Sequence, residues 1–366
     1  MGNSKSFWGG VGFIAATTIG AGMFSLPYIF HESGWLTGVF YLIVLSTVTI
    51  FVHRLYWLAL EKANNGSSLL GLVREHLGKY AFYASSVSVI AGLFLILLIY
   101  LILSESFARL VLPSASANYG AVLFWVAASI PLLFKLPRVV GAEFLGTVLM
   151  FLIVFLIFLT GQTGFSGIPV VSIDNILLPF GAILFSLTGW TAIEPMFRWE
   201  KKNGDPNYMP KLIWGTFVSA IIYFLFVLGI LGSADFVSPD ALSGLSSWPL
   251  WKIQLLGLLG IFAMWTSYVP IILEIKNELK EDLHLPPLFS YAAALFLPLI
   301  LFFSGFFNFL GAISLVGGVF LVLQYIFIIL VSKKILTLSG STKFFSDLLI
   351  LVFLAAAVYE IYYFAV

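Results

Sequence analysis

Two long apolar segments of the sequence are each interrupted by small and hydroxyl-bearing residues. The segment Phe7–Phe30 is interrupted at Ile19-Gly20-Ala21-Gly22-Met23, and the segment Asp174–Phe197 at Ser186-Leu187-Thr188-Gly189-Trp190. Irregular backbone at membrane depth is tolerated only where it contacts protein or a watery cavity, because lipid offers no hydrogen bonds. One break in each half of the chain therefore predicts a substrate site near the middle of the membrane, as in secondary transporters.

The two breaks expose complementary backbone groups. A half-helix that restarts near Phe24 presents N–H groups and positive partial charge, which suit a carboxylate. The glycines at 20 and 22 let a ligand approach the backbone without an intervening Cβ. A half-helix that ends near Ser186 presents carbonyl groups, which suit an ammonium group. This pairing predicts an α-amino acid as the substrate. The alternative is that the glycines only allow close packing of helices.

Composition indicates an integral membrane protein. The 366 residues are 61% hydrophobic and 10% charged, whereas soluble domains carry about 25% charged residues. The net charge of +1 argues against nucleic acid as a partner, and the absence of cysteine excludes disulfides and thiolate ligands. The four histidines lack metal-ligand spacing. We place His53 near the inner end of the second span and expect no histidine at mid-membrane depth, so the sequence favours no membrane-embedded enzyme.

The hydropathy pattern predicts eleven transmembrane helices of about 20 residues each. With the N-terminus in the cytoplasm, sixteen of the 18 lysines and arginines fall inside, and only Arg109 and Lys252 fall outside. This bias predicts a multi-pass protein of the cell membrane with a cytoplasmic N-terminus and an extracytoplasmic C-terminus. The predicted spans are 7–30, 35–60, 80–111, 119–135, 141–163, 174–198, 212–232, 251–274, 287–304, 307–331 and 344–364.

Span parity predicts the domain organisation of this all-α membrane protein. A unit of five spans starts and ends on opposite sides of the membrane, because five is an odd number. A second five-span unit therefore enters the membrane from the side opposite to the first. We therefore expect an inverted repeat made of residues 1–163 and 174–331, with an additional helix in 332–366. The stretch 68–78 predicts a short amphipathic helix along the inner surface, with Ser68 as N-cap and Gly78 as terminator.

The first interruption lies within Thr17-Thr18-Ile19-Gly20-Ala21-Gly22-Met23-Phe24-Ser25-Leu26-Pro27, which resembles the first-helix signature of the tryptophan/tyrosine permease family. That family lies in the amino acid/auxin permease group of the amino acid–polyamine–organocation superfamily. Leu178-Pro179-Phe180-Gly181 before the second break and the Leu77-Gly78-Lys79 loop fit as well. The resemblance implies the LeuT-type fold with its 5+5 inverted repeat. It also implies a symporter that imports a neutral, large or aromatic L-amino acid by alternating access.

The resemblance also implies which residues contact the substrate. Backbone at the first break would bind the carboxylate, and residues at the second break would lie near the ammonium group. Side chains of spans 3 and 8 would complete the pocket. The predicted substrate-binding residues are Gly20, Ala21, Gly22, Met23, Tyr100, Phe185, Ser186, Thr188, Gly189, Met264 and Tyr268.

Sodium-coupled relatives imply an ion site between the first break and span 8. Its oxygen ligands would be the carbonyls of Ala16, Ile19 and Ala263 and the hydroxyls of Thr266 and Ser267, which suit a hard cation. The alternative is that these hydroxyls bond only to their own helix. A second sodium site would need an asparagine where this chain has Met23, so we expect none.

Proton coupling is the competing hypothesis, because ionisable groups inside a membrane are functional candidates. Glu194 is the best-placed proton site, although it can instead pair with Arg198 four residues on. We favour sodium over the proton and expect no cofactor or resident metal beyond that ion. The expected partners are the amino acid, the coupling ion and the bilayer. A channel or an amino acid sensor of the same fold is a less favoured alternative, and the sequence does not determine the oligomeric state.

Overall fold

The computed structural model describes residues 2–63, 68–111, 117–133, 168–203, 208–245 and 247–365, with scattered residues between 148 and 159. Within these ranges the chain forms helices, turns and loops but no strand. The predicted all-α architecture is therefore confirmed for the described residues. The helices are α1 (Gly2–Thr18), α2 (Leu26–Ser33), α3 (Trp35–Ala63), α4 (Leu69–Leu77), α5 (Lys79–Val111), α6 (Ala117–Leu133), α7 (Pro179–Ser186), α8 (Ile193–Asn203), α9 (Tyr208–Leu231), α10 (Leu250–Asn277), α11 (Pro287–Ser304), α12 (Phe309–Leu315), α13 (Val322–Ile335) and α14 (Gly340–Ala365).

Short turns of other helical types connect several of these helices. Two 3₁₀ turns, Ala21–Ser25 and Trp190–Ala192, precede α2 and α8. Two π-helical turns, Glu278–Asp282 and Val316–Leu321, continue α10 and join α12 to α13. These turns pair different backbone groups from those of an α-helix, so they change the direction of the chain while its backbone remains helical.

Seven helical segments among the described residues are long and apolar enough to cross a membrane. One further pair, Phe7–Thr18 and Ala21–Ser33, passes the same test together and is bent by 54°. The helix α6 is apolar but shorter, and α7 and α8 are short individually. Eight of the eleven predicted spans coincide with these segments, and the fourth and sixth overlap α6 and the pair of α7 and α8. The fifth, 141–163, lies largely outside the described residues. The count of eleven therefore stays a prediction.

The long helix α5 lies at the centre of the helical packing. It contacts α4, α6, α10, α11 and α12, and 78% of its most apolar 18-residue stretch is buried inside the protein. Apolar residues on all of its faces account for this position, since a helix that is hydrophobic all round is a buried one. The helix α1 packs against α9, and α7 against the Val316–Leu321 turn and α3. The two broken segments are thereby enclosed by intact helices.

The short helix predicted after span 2 is present as α4. Ser68 accepts a hydrogen bond from the Gly71 amide at 3.1 Å, and Gly78 follows the helix with a φ of 86°. Serine and glycine suit these positions because the cap supplies an oxygen to a free amide and glycine tolerates positive φ. The Ser68 hydroxyl also donates to Asp282, which attaches α4 to the π-helical turn after α10.

Candidate functional site

The first break lies where the sequence places it. The helix α1 ends at Thr18, Gly20 is extended with φ −138° and ψ −152°, and the 3₁₀ turn Ala21–Ser25 leads into α2. Pro27 occupies the first turn of α2, a position that needs no backbone donor. The backbone from Gly20 to Gly22 is therefore held outside a continuous α-helix.

The second break has the same order of elements as the first: a helix ends, a glycine follows, and a 3₁₀ turn leads into the next helix. The helix α7 ends at Ser186, and Gly189 adopts φ −142° and ψ 15° before the 3₁₀ turn Trp190–Ala192. The amides of Leu187 and Thr188 still bond to the carbonyls of Ile183 and Phe185, at 2.9 and 3.2 Å. The irregular backbone is thus confined to a few residues around Gly189.

The two breaks contact each other through their glycines. A Cβ added at Gly22 would lie 2.7 Å from the Ser186 Cα and 2.9 Å from the Phe185 ring. A Cβ at Gly189 would lie 2.5 Å from the Thr18 hydroxyl. Real Cβ atoms do not approach other atoms so closely, so both positions require glycine for packing. The packing explanation, which the sequence leaves as an alternative, therefore applies to Gly22 and Gly189 whatever ligand is bound.

Tyr223 of α9 joins the two breaks by hydrogen bonding. Its hydroxyl, fully buried, lies 2.8 Å from the carbonyl oxygen of Thr18 and 2.5 Å from that of Ser186. These are the carbonyls at which α1 and α7 end, and helix ends leave such acceptors unpaired. The single hydroxyl proton serves one carbonyl at a time. The sequence analysis missed this residue, whose only signal was a hydroxyl within the otherwise apolar 220–231.

A cavity of about 320 Å³ opens beside the two breaks. Its wall combines backbone of the first break with side chains of α1, α5, α10 and the second break. Among the predicted substrate residues, the wall includes Gly20, Ala21, Gly22, Tyr100, Phe185 and Thr188. Among the predicted ion ligands, it includes Ala16 and Ser267. Its further lining residues include the apolar side chains of Phe13, Leu93, Ile96 and Val269.

Several predicted residues lie behind the wall of this cavity. The face of α10 that lines it carries Ser267, Ile271 and Glu274, so Met264 and Tyr268 point elsewhere in the same helix. The Tyr268 ring instead packs against Tyr100 and Phe124, with centroids 6.1 and 5.3 Å apart. The other predicted residues that do not line the cavity are Ile19, Met23, Ser186, Gly189 and Glu194. The Ala263 and Thr266 side chains lie outside the described part of the structure.

Hydroxyl groups at the breaks differ in what they bind. Thr188 donates to the Leu184 carbonyl at 2.9 Å, and Ser186 to the Ala182 carbonyl at 2.8 Å, so both bond back to α7. The Tyr100 hydroxyl approaches Ser267 and the backbone of Ala21. The buried Ser267 Oγ has no partner at hydrogen-bonding geometry among the described residues. The Ser267 and Tyr100 oxygens therefore lie together at the wall of the cavity.

His53 corrects an expectation from the sequence. It is buried in the protein, its Nε2 lies 3.3 Å from the Tyr325 hydroxyl, and its ring faces the second break at Gly189. The predicted span ends at residue 60, whereas α3 extends to Ala63. His53 therefore lies further from the end of the helix than the sequence indicated. A histidine therefore lies beside the break, but within the described ranges no group of three or more histidine, aspartate or glutamate side chains could hold a metal ion.

The surroundings of the first break and the far end of the cavity wall differ in chemistry. Next to the first break lies an aromatic cluster of Phe24, Phe107 and Phe226, all fully buried, with the Phe24 ring centroid 4.6 Å from that of Phe107. Toward the end of α10, Glu274 and Asn277 line the cavity. Phe107 packs against Gly260, and Glu274 follows Gly260 by 14 residues in α10, which corresponds to about 20 Å along the helix.

Glu194 lies near that end of the wall, in the first turn of α8. Arg198 donates to its carboxylate at 2.5 Å, so the ion pair that the sequence proposed as an alternative is present. Electrostatic interactions also connect Glu194 with Glu274 and Glu278. The sequence analysis missed Glu274 and Glu278, because their position close to the end of a span resembled an ordinary solvated boundary.

Comparison with known proteins identifies the family. The tryptophan/tyrosine permease family matches residues 3–335, so the chain belongs to that family. Among solved structures, MhsT in complex with L-phenylalanine superposes with a TM-score of 0.73 at 14% identity, covering 95% of this chain and 98% of that one. A manganese transporter of Eremococcus coleocola, bound to an aromatic bis-isothiourea compound, gives 0.65 at 12% identity, covering 97% and 86%. Comparison with curated sequences gives no significant match.

These similarities establish the general class of the protein. At identities this low, the structural likeness shows the fold alone, which is that of the LeuT-type transporters. Family and fold together make the chain a multi-pass membrane transporter and not an enzyme. The resemblance that the first-helix motif indicated is thereby confirmed.

Proposed function

We propose that this member of the tryptophan/tyrosine permease family is an ion-coupled symporter that imports a large neutral or aromatic L-amino acid by alternating access. The observation that carries the proposal is the cavity of about 320 Å³ where the two helix breaks meet. That volume lies at the lower end of the range for small-molecule sites, about 300–1,000 Å³. It suits a single amino acid better than a peptide or a larger solute.

The wall of the cavity supplies groups for each part of an amino acid. Backbone of Gly20, Ala21 and Gly22, at the start of a helical turn, suits the carboxylate. Backbone carbonyls at Phe185 and Thr188, which line the wall around the end of α7, suit the ammonium. The rings and aliphatic groups of Phe13, Phe185 and Ile96 suit a large apolar side chain. MhsT, which has a similar fold, binds L-phenylalanine, and this supports an aromatic substrate here.

For the coupling ion we propose sodium, bound between the first break and α10. Ala16 and Ser267 line the cavity on facing elements, and the buried Ser267 Oγ lies beside the Tyr100 hydroxyl. A carbonyl from α1 and a hydroxyl from α10 are hard oxygen ligands of the kind that sodium requires. The carbonyls of Ile19 and Ala263 and the Thr266 hydroxyl complete the proposed set. Met23 stands where a second sodium would need an amide oxygen.

The proposed topology is supported by the placement of the two breaks and by the positions of the lysines and arginines. We propose that residues 1–163 and 174–331 form the inverted repeat, with the broken segments as its first helices and α14 appended. The N-terminus would then lie in the cytoplasm and the C-terminus outside the cell.

A thermal-shift screen of the twenty amino acids, with sodium or choline as the cation, tests substrate and ion together. A ligand that binds only the folded state raises the melting temperature with its concentration. We expect an aromatic L-amino acid to stabilise the purified protein, and sodium to strengthen that effect. Stabilisation by no amino acid would contradict the proposed function.

The sodium site is tested by Thr266→Val combined with Ser267→Ala, which removes two of the proposed oxygen ligands. We expect the sodium-dependent part of the stabilisation to vanish. Ser104→Ala is the matched control, because Ser104 is buried in α5 and its hydroxyl donates at 2.8 Å to the Leu101 carbonyl. Full uptake in choline driven by an inward proton gradient would instead assign the coupling to protons.

A further inference from the structure

A hydrogen bond between an indole and an amide joins the second break to a helix outside the cavity. The Nε1–H of Trp190 donates to the Oε1 of Gln324 in α13, with 2.7 Å between the two atoms. Trp190 begins the 3₁₀ turn of the second break and lines the cavity, whereas Gln324 does not line it. The two residues are only 2% and 1% exposed. A buried side chain of α13 therefore bonds to a residue of the cavity wall from behind.

The other end of the Gln324 amide bonds to the long central helix. Its Nε2 donates to the backbone carbonyl of Ser88 in α5 at 3.0 Å. The Ser88 hydroxyl in turn donates to the carbonyl of Phe320, in the π-helical turn that precedes α13, at 2.8 Å. Two buried hydrogen bonds thus hold α13 and the preceding turn against α5. The amide that receives the indole is thereby attached to the most buried helix of the protein.

A glycine of α5 leaves the space that the amide occupies. A Cβ at Gly92 would lie 2.8 Å from the Nε2 of Gln324 and 3.1 Å from the Cβ of Phe320. Any larger side chain at position 92 would therefore press on the amide and on its bond to Ser88. Glycine inside a helix costs about 1 kcal/mol relative to alanine. The close approach of Gln324 explains why this position of α5 carries a glycine.

The two partners of Gln324 need opposite hydrogen-bonding groups. An indole offers only a donor, and a backbone carbonyl offers only an acceptor. The glutamine amide carries an acceptor and a donor on one planar group, so it serves both partners at once and in a single orientation. Because a buried group left unpaired costs free energy, the amide keeps that orientation. The direction of the Trp190 N–H is fixed with it.

This bond also decides which chemistry Trp190 offers to the cavity. The N–H is the one polar group of the indole, and Gln324 already pairs it. What remains for a ligand is the apolar surface of the ring, which suits the same kind of side chain as Phe13 and Phe185 of the same wall. The Tyr56 ring packs edge-on against the indole, with 6.4 Å between the centroids.

We propose that Gln324 is a positioning residue for substrate binding: through its bond to Trp190 it holds the indole in the cavity wall, where the ring presents apolar surface to the amino acid. Without the amide, the N–H loses its partner and the ring is free to turn. The effect on affinity rests on the proposed function. The state of the indole N–H does not.

Nuclear magnetic resonance of the indole N–H groups tests the contact without substrate. In protein labelled with ¹⁵N at its tryptophans, the Trp190 signal is the one that Trp190→Phe removes. Gln324→Met keeps the length of the side chain and removes both polar groups. We expect it to shift that signal and to speed its exchange with heavy water about tenfold, because hydrogen bonding protects an N–H from exchange.

The Trp125 indole is the internal reference for this measurement. It donates to the Leu295 carbonyl at 2.9 Å, so its signal should stay where it is in Gln324→Met. A Trp190 signal that keeps its position and its exchange rate in Gln324→Met would overturn the proposal. Shifts of the same size at Trp190 and Trp125 would also overturn it, because they would show a general change of the fold.

Binding of L-phenylalanine measures the consequence for the substrate site. We expect Gln324→Met to raise the Kd about tenfold, the effect of one buried hydrogen bond. Ser332→Ala is the matched control, because Ser332 is buried in the same helix and its hydroxyl donates at 3.1 Å to the Leu55 carbonyl of α3. We expect this variant to bind as the wild type does. An equal rise of the Kd in both variants would show loosened helix packing and would overturn the positioning role.

A double-mutant cycle decides whether Gln324 acts through Trp190. Trp190→Phe keeps an aromatic ring and removes the donor, so in that background Gln324→Met should change the Kd less than about twofold. Fully additive effects would overturn the proposal, and so would an unchanged Kd in Gln324→Met alone; both leave the transport function intact. A wild type that binds no amino acid would instead refute the proposed function, while the indole signal would still decide whether Gln324 fixes Trp190.

Discussion

The first break leads into buried aromatic rings, whereas the cavity wall along α10 ends in a carboxyl group and an amide. Phe24, Phe107 and Phe226 exclude water by edge-to-face packing, with the Phe24 and Phe226 centroids 5.3 Å apart. Glu274 and Asn277 hold their side of the cavity with groups that water solvates well. The packing of aromatic rings does not depend on pH or on ions, whereas interactions of the Glu274 carboxyl group depend on both.

This difference suggests how one molecule could open its two sides in turn. Separating the aromatic cluster costs the contacts of three large side chains, so a ligand that tightens the breaks must supply that free energy. The wall near the end of α10 carries Glu274 and Asn277, so the free energy of opening it depends on how well water solvates these polar groups. The two breaks contact each other directly at Gly22, at Gly189 and through Tyr223. A movement of one break is therefore transmitted to the other.

The largest loss of stability is expected from Phe107→Ala in the aromatic cluster. The ring fills the space beside Gly260, so its removal leaves a cavity, and we expect a cost of about 3 kcal/mol in the free energy of unfolding. Reversible unfolding in mixed detergent micelles measures it. Phe306→Ala, at a side chain that is 82% exposed, should change little. Equal effects of the two substitutions would refute the idea that packing seals this side.

A smaller loss of stability, with a complete loss of binding, is expected from Gly22→Val. The added side chain meets Ser186 and Phe185 of the second break and also covers the backbone proposed to bind the carboxylate. We expect a cost of about 2 kcal/mol from overpacking, and no thermal shift with any amino acid. Gly9→Ala is the control, since a Cβ there meets nothing within 4 Å. Normal affinity in Gly22→Val would remove the proposed carboxylate site.

Tyr223→Phe tests the connection between the breaks with a change of one hydroxyl group. Without its proton the carbonyls of Thr18 and Ser186 lose a buried donor, and we expect a cost of about 1.5 kcal/mol. Affinity for the amino acid should fall as well, because the two half-sites are no longer held in register. Tyr119→Phe, at an exposed side chain, provides the comparison. Unchanged stability and affinity in Tyr223→Phe would show that the bridge is unimportant.

The smallest effects should separate two Glu–Arg pairs of the same spacing on opposite sides of the cavity. Glu105–Arg109 and Glu194–Arg198 are both four residues apart, and both arginine side chains are more than half exposed. Such pairs contribute at most about 1 kcal/mol. We expect Arg109→Gln to be nearly neutral and Arg198→Gln to cost more, because it leaves Glu194 among other carboxyl groups. Matched unfolding curves at low salt measure the difference, and a larger cost at Arg109 would reverse the comparison.

The sequence by itself determined where the helices run and where two of them break. A bilayer excludes unpaired backbone, so spans must be long and apolar, and irregular stretches must contain residues that can serve a site. These constraints are local, which is why eight predicted spans coincide with segments long enough to cross a membrane and why both breaks lie at the predicted glycines. The family signature in the first helix is equally local, and it predicted the family that the whole chain matches.

Only the tertiary structure decided which side of each helix meets the cavity. Met264, Ser267 and Tyr268 lie within one turn or so of α10, yet only Ser267 lines the wall, because packing against α5 and α6 sets the rotation of the helix. Hydropathy in a buried helix is nearly uniform around its axis and carries no information on that rotation. For the same reason Tyr223, 37 residues beyond Ser186 in sequence, was found only through the contact that folding creates.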